Sequence, residues 1–312
     1  MCEENQTQVT QIHIIGFQSL LKYRSLLFIV LLLTYLFILV GNLLIILLVT
    51  IIDHLKTPMY FFLKHLSIAD VLLTTDIIPV MLDSVFFDEG ILPFWGCVTQ
   101  MHLYGIFAFF QCLLIAVMSY DRFLAICHPL RYSSLMSPEL CLQLVIGSWL
   151  LASVNTSSEI LILIQFTFCG LNSIDHFFCD LAPIVELATS DASILVMHDF
   201  ISSISLIFFP FIFIIMTYFC IFCTILKISS NFGRRKAFST CSSHLITVCA
   251  YYGTLITVYM APSGENTSYI NKYISLLYLV VTPSMNPIIY SLRNHEIKRA
   301  MRKMVNVIIE NE

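Results

Sequence analysis

The chain has 312 residues, 58% of them hydrophobic and only 12% charged, with a formal net charge of −4. A soluble domain is about a quarter charged, so a soluble enzyme, a disordered regulator and a secreted disulfide scaffold are all excluded. The few Lys and Arg and the slightly acidic balance exclude a nucleic-acid binder as well.

The amino-terminal stretch, residues 1–25, is polar and carries the glycosylation sequon Asn5-Gln6-Thr7. Beyond it the apolar residues fall in long runs. A bilayer core of about 30 Å takes about 20 apolar helical residues. Seven stretches meet that length: 26–50, 59–81, 98–120, 141–164, 200–226, 240–260 and 273–290. Each is too long for a barrel strand and lacks period-two alternation. The first has no small-residue cleavage site and reads as an uncleaved signal anchor. All Lys and Arg except Lys22, Arg24 and Lys272 fall on one side of the membrane in this arrangement. The positive-inside rule then puts the amino terminus outside and the carboxyl terminus in the cytoplasm.

The cytoplasmic tail, 291–312, carries Ile297, Met301, Met304, Val305 and Ile308 at helical spacing, against Arg293, Lys298, Arg299, Arg302 and Lys303. That pattern predicts a short amphipathic helix on the anionic inner leaflet, in contact with membrane lipid. The expected architecture is all-α: one seven-transmembrane helix bundle at the plasma membrane.

Polar residues inside spans are costly and mark function or helix-to-helix hydrogen bonding. Asp70 lies mid-way along the second span, and Asn42, Gln111, Ser284 and Asn286 lie at comparable depth. They read as a polar core that holds either a hydrogen-bond network or a sodium ion at Asp70. Tyr120-Asp121-Arg122 ends the third span. The Arg can pair with its neighbour or swing toward Tyr218 or Tyr290, which makes it a switch element, or it can simply anchor the helix end by snorkelling. Pro287 kinks the seventh span and Pro210 the fifth. The carbonyl that Pro287 frees needs a partner, which Asn286 or a water can supply.

Together these residues resemble the rhodopsin-like G-protein-coupled receptors, and within them the odorant (olfactory) receptors. The motifs that carry the resemblance are Pro58-Met59-Tyr60-Phe61-Phe62-Leu63, Met118-Ser119-Tyr120-Asp121-Arg122-Phe123-Leu124-Ala125-Ile126-Cys127, and His128-Pro129-Leu130-Arg131-Tyr132. Lys236-Ala237-Phe238-Ser239-Thr240-Cys241-Ser242-Ser243-His244-Leu245 and Pro283-Ser284-Met285-Asn286-Pro287 complete the set. They occur in order along the whole chain. Three positions depart from the family pattern: Phe123 stands for the usual Tyr, Gln111 for the common Glu, and Thr189 for a loop cysteine. The resemblance implies a Cys97–Cys179 disulfide. It also implies that Cys169 lacks its usual partner, so that a free thiol is favoured over a bridge to Cys2.

A ligand cavity is expected in the outer half of the bundle. Helical steps from Arg122 and Gln111 reach Cys112, Ala108 and Tyr104, flanked by Gly105 and Phe109. Steps from Tyr290 reach Leu279 and Leu276, and Tyr252, Leu255, Ile256 and Tyr259 share a face of the sixth span. The resemblance adds Ser202, Ser203 and Leu206. These residues describe an aromatic and aliphatic cavity without net charge, suited to a small, neutral, hydrophobic odorant. An amine is disfavoured because Tyr104 stands where amine receptors of the superfamily place an Asp. Retinal is disfavoured because the core of the seventh span has no Lys. No enzyme constellation such as H-E-x-x-H or G-x-S-x-G is present, and no cofactor is called for. The resemblance implies a heterotrimeric G protein of the stimulatory, olfactory type as partner and cyclic AMP as output.

Overall fold

The computed structural model describes residues 8–87, 89–260, 267–293, 297–299 and 302. Asn5 and most of the expected amphipathic tail lie outside the described residues. Among these residues run seven long helices: α1 (Arg24–Ile51), α2 (Pro58–Phe87), α3 (Phe94–Cys127), α4 (Pro138–Leu163), α5 (Ser193–Lys227), α6 (Asn231–Met260) and α7 (Thr267–Arg293). At about 1.5 Å per residue each exceeds the thickness of a bilayer core. Together they pack as a seven-helix bundle, as expected.

Of the seven, α1, α3, α4 and α5 are apolar enough to cross a membrane on length and composition alone. The remaining three are more polar because their polar side chains turn inward: α2 buries Ser67, Asp70 and Thr74, α6 buries His244 and Thr247, and α7 buries Thr282 and Asn286. The outward faces are the reverse of a soluble protein. Leu33, Phe37 and Val40 of α1 and Phe209, Met216 and Phe219 of α5 are exposed, which suits a lipid surround.

Local sequence sets the helix ends and bends. Ser137 caps α4 by accepting a bond from Leu140 N at 3.2 Å, with Pro138 at the first helical position. In α5 the residues Ile204–Phe208 form a π-helical turn just before Pro210. One extra residue in that turn rotates everything on its amino-terminal side relative to a regular helix. In α7, Pro287 has no N–H for the carbonyl of Pro283. Asn42 of α1 supplies the missing donor, with Nδ2 3.0 Å from that oxygen. Neither Asn286 nor a water is needed there. Gly41 permits the approach, since a Cβ at that position would lie 2.6 Å from the Pro287 ring.

A small sheet caps one end of the bundle and was not expected. Strand β1 (Gln11–Ile14) is its middle strand, antiparallel to β2 (Gly90–Pro93) and parallel to β3 (Ser173–Ile174). The amino-terminal segment is thus built into the cap. Just after β1, Gly16 passes so close to the loop that a Cβ there would meet the His176 carbonyl oxygen at 2.2 Å. Phe17 then packs on Phe177 with ring centroids 4.3 Å apart. The bundle therefore has a sheet end and, opposite it, an end that carries Arg122.

Candidate functional site

The loop between α4 and α5 is fixed over the sheet end. Cys97 at the start of α3 is bonded to Cys179, as the family resemblance implied. Cys179 N also donates to Gln100 Oε1 at 3.0 Å, and Gln100 Nε2 donates to the Asp76 carbonyl of α2 at 2.8 Å. Lys272 of α7 pairs with Asp175 at 2.5 Å and lies over the Phe177 ring. Cys169 is disulfide-bonded as well, which corrects the expectation of a free thiol. Thr189, where the family has a cysteine, accepts or donates at 3.0 Å to Thr167 and also bonds the Thr167 carbonyl. His176 is buried under this layer, and burial pushes its imidazole below the usual range.

Beneath the loop lies a cavity of about 510 Å³, the size of a small-molecule pocket. Of the expected lining, Tyr104, Gly105, Ala108, Phe109, Cys112 and Leu255 do line it. Ser202, Ser203, Leu206, Tyr252, Leu276 and Leu279 are not part of its wall. The side chains of Ile256 and Tyr259 lie outside the described residues.

The misplaced positions have physical causes. The π turn shifts the phase of α5, so Asp199 and Ile207 reach the cavity in place of Ser202, Ser203 and Leu206. In α7 the wall is one residue away from the expected face, made by Ser275 and Tyr278, and in α6 Tyr251 joins Leu255 in place of Tyr252. Tyr252 instead stacks on Phe211 at 4.7 Å. A signal for Tyr251 and Tyr278 was available, because two tyrosines deep in spans each need a hydroxyl partner. The expectation of an uncharged wall also fails. Glu159, Asp175, Asp180, Glu186 and Asp199 line the cavity with His102 and His176, and among the described residues no Lys or Arg does.

The cavity floor continues into the polar core. Tyr251 OH donates to the Ala108 carbonyl at 2.8 Å and lies 3.2 Å from both Cys112 Sγ and Tyr278 OH. Tyr278 OH donates to Gln111 Oε1 at 3.4 Å, and Gln111 Nε2 donates to Asp70 Oδ1 at 2.9 Å. Asn286 Nδ2 donates to the other Asp70 oxygen at 2.5 Å. A chain of hydrogen bonds therefore runs from Tyr278 on the cavity wall through Gln111 and Asp70 to Asn286, the residue preceding the Pro287 kink. Both amides turn N–H groups toward Asp70 and so offer it donors.

At the opposite end, Arg122 Nε donates to Asp121 Oδ2 at 2.9 Å, and the two side chains form an ion pair. Asp121 Oδ1 accepts from Tyr132 OH at 2.7 Å. Tyr218 is engaged with His244, its hydroxyl 2.6 Å from Nδ1 and the rings stacked. Tyr120 packs against Phe123 and Phe213. The Tyr290 side chain lies outside the described residues. Tyr132 as the partner of Asp121 and His244 as the partner of Tyr218 were not legible in sequence, because both contacts depend on how separate elements pack.

A sequence profile of the olfactory receptor family matches residues 31–307. Olfactory receptor 5G9 of Mus musculus is 44% identical over 305 residues, covering 98% of this chain and 97% of that protein. Olfactory receptor 10A7 of Homo sapiens is 42% identical over 302 residues, covering 97% and 96%. The crystal structure of squid rhodopsin superposes with a TM-score of 0.75 over 93% of this chain and 87% of that one, at 19% identity, and so shares the fold. The chain belongs to the olfactory receptor family, membrane-bound G-protein-coupled receptors that signal and are not enzymes.

Proposed function

We propose that this receptor binds a small, mostly hydrophobic odorant in the cavity beneath the sheet and thereby activates a stimulatory, olfactory-type G protein that raises cyclic AMP. The observation that carries the reading is the hydrogen-bonded chain from Tyr278 on the cavity wall to the α7 kink, through Gln111, Asp70 and Asn286. A ligand that moves Tyr251 or Tyr278 alters the partners of Asp70, and with them the set of α7. The carbon skeleton of the odorant packs on Tyr104, Phe109 and Leu255, where each buried CH₂ contributes about 0.8 kcal/mol. A ligand of about ten heavy atoms then binds in the micromolar range.

In this reading the present arrangement, with Arg122 held by Asp121 and Tyr218 held by His244, is the resting state. Activation is a population shift in which α6 moves outward at the Arg122 end and Arg122 leaves Asp121. The cleft that opens, framed by residues 122–132 and the basic residues 227–236, receives the G protein. The sheet end faces outward from the plasma membrane. Disulfides at Cys97, Cys179 and Cys169 gather there, whereas Cys112, Cys127, Cys141, Cys220, Cys223, Cys241 and Cys249 are thiols within the helices. Oxidised cysteines on one side support that side being extracellular, and Asn5 would be glycosylated there.

The test is cyclic AMP in cells expressing the chain with an olfactory-type G protein, challenged with a panel of small volatiles, beside Arg122→Ala at matched surface level. A dose-dependent signal lost in the variant supports the reading. A signal that survives Arg122→Ala, or silence with good surface expression, contradicts it.

A further inference from the structure

The acidic side of the cavity is not explained by a purely hydrophobic odorant. Glu159 of α4 lines the cavity, is 8% exposed, and has no hydrogen-bond or ion-pair partner among the described residues. Asp199 of α5 and Asp180 of the loop lie on the same wall, within electrostatic range of it and of each other. Among the described residues Asp180 accepts the backbone N–H of Leu181, at 2.9 Å. Among the described residues no Lys or Arg pairs with any of these three; Lys272, the nearest α7 cation to the loop, is committed to Asp175. The arrangement is held in register, because Ser158 and His198, adjacent to Glu159 and Asp199, meet at 2.9 Å across α4 and α5.

A buried carboxylate without a counter-charge is expensive. Three carboxylates around one open space are relieved together if the occupant brings a positive charge. A bare metal ion is the poorer match: the described residues contain no group of three His, Cys, Asp or Glu side chains close enough to hold one. An organic ammonium is larger, donates hydrogen bonds in several directions, and leaves its carbon skeleton for the apolar wall. Tyr104 lines the same cavity, and aromatic side chains attract organic cations.

Resting on the reading of this cavity as the odorant site, we propose that the receptor's preferred ligands are small organic amines, whose ammonium group sits between Glu159, Asp199 and Asp180. The carboxylates come from α4, α5 and the loop, not from the third span, where the superfamily's amine receptors carry theirs.

The test uses the purified full-length receptor in lipid nanodiscs. Ligand affinity is read as thermal stabilisation by paired probes: hexylamine against hexanol and hexanoate, and phenethylamine against phenethyl alcohol. A charge-assisted hydrogen bond in a buried site predicts that each amine binds about 10- to 100-fold more tightly than its alcohol. Hexanoate should be the weakest of its set. The amine-to-alcohol ratio should collapse toward one in Glu159→Gln and fall in Asp199→Asn. Because the ratio is taken within each variant, a general loss of stability does not imitate the result, and the wild-type ratio decides if neither variant can be produced. Equal binding of amines and alcohols by the wild type, or a ratio unchanged in both variants, overturns the proposal. Cyclic AMP measured in parallel separates the two readings. Amine binding with no cyclic AMP would break the signalling reading alone. Cyclic AMP evoked by alcohols with no amine preference would break this proposal alone.

Discussion

The two ends of the bundle are held together by different means. At the sheet end the Cys97–Cys179 disulfide, three paired strands, the Lys272–Asp175 ion pair and the Gln100 bridge join the amino-terminal segment, α2, α3, the long loop and α7. At the Arg122 end the ties among the described residues include Arg122–Asp121–Tyr132, Tyr218–His244 and a small apolar cluster of Ile221, Ile225 and Cys241. A covalent link between distant segments is worth about 2–4 kcal/mol, and a typical hydrogen bond about 0.5–1.5 kcal/mol net. The bonds at the Arg122 end can therefore exchange partners at a cost a weak ligand can meet, while the sheet end stays in place. The cavity lies beneath the fixed end, and the chain from Tyr278 to Asn286 runs toward the movable one.

Breaking the stiff end should have the largest effect. Cys97→Ser should cost about 2–5 kcal/mol and remove most receptor from the cell surface, read by surface staining; normal surface level would show that the sheet and ion pair suffice. Next comes the waist between the two ends. Gly41→Val places a side chain against the Pro287 ring, which already lies 2.6 Å from a Cβ at that position. Overpacking of this kind costs about 1–3 kcal/mol. It should lower the melting temperature of the purified receptor, whereas Gly41→Ala should do so less.

At the Arg122 end, Tyr132→Phe removes one donor from Asp121. The resting pair should weaken by about 1 kcal/mol, which raises ligand-independent cyclic AMP about fivefold at unchanged surface level. Unchanged basal signalling would mean that Tyr132 does not hold the resting state. The smallest effect concerns pH. His176 has a folded-state pKa below its ordinary 6.5, so below that pH the unfolded chain takes up a proton that the folded one resists. Stability should be flat above pH 6.5 and fall as pH drops below it. His176→Gln should flatten the fall, as measured by thermal unfolding between pH 5 and 7.5.

How much of this was legible in sequence differs between the same two regions. Long uncharged runs and the Asp121-Arg122 motif are local signals, and the bundle and the Arg122 pair could be read from them. The sheet could not, because β1 and β2 have four residues each and β3 two, too few to show a period. The cavity wall was legible on α3, a regular helix with two polar markers to set its phase. On α5 a π turn displaced the phase without a composition signal. On α6 and α7 no charged residue fixed the inward face, so Tyr252 and Leu279 stood in for their neighbours Tyr251 and Tyr278. Glu159, Asp180 and Asp199 are distant in sequence, and only the folded chain brings them to one cavity. The need of Pro283 for a donor was legible, but Asn42 as its source was not.

The most direct test of a fixed sheet end and a movable Arg122 end is a pair of distances in the full-length receptor in nanodiscs. Spin labels would be carried on unnatural amino acids at Leu130 and Phe232 for the Arg122 end, and at Trp95 and Leu171 for the sheet end, all exposed positions. Distances would be recorded with and without nucleotide-free stimulatory olfactory-type G protein. The account predicts that the Leu130–Phe232 distance lengthens by several ångströms while Trp95–Leu171 holds. A Leu130–Phe232 distance that does not change, or a sheet-end pair that moves as far, would contradict it.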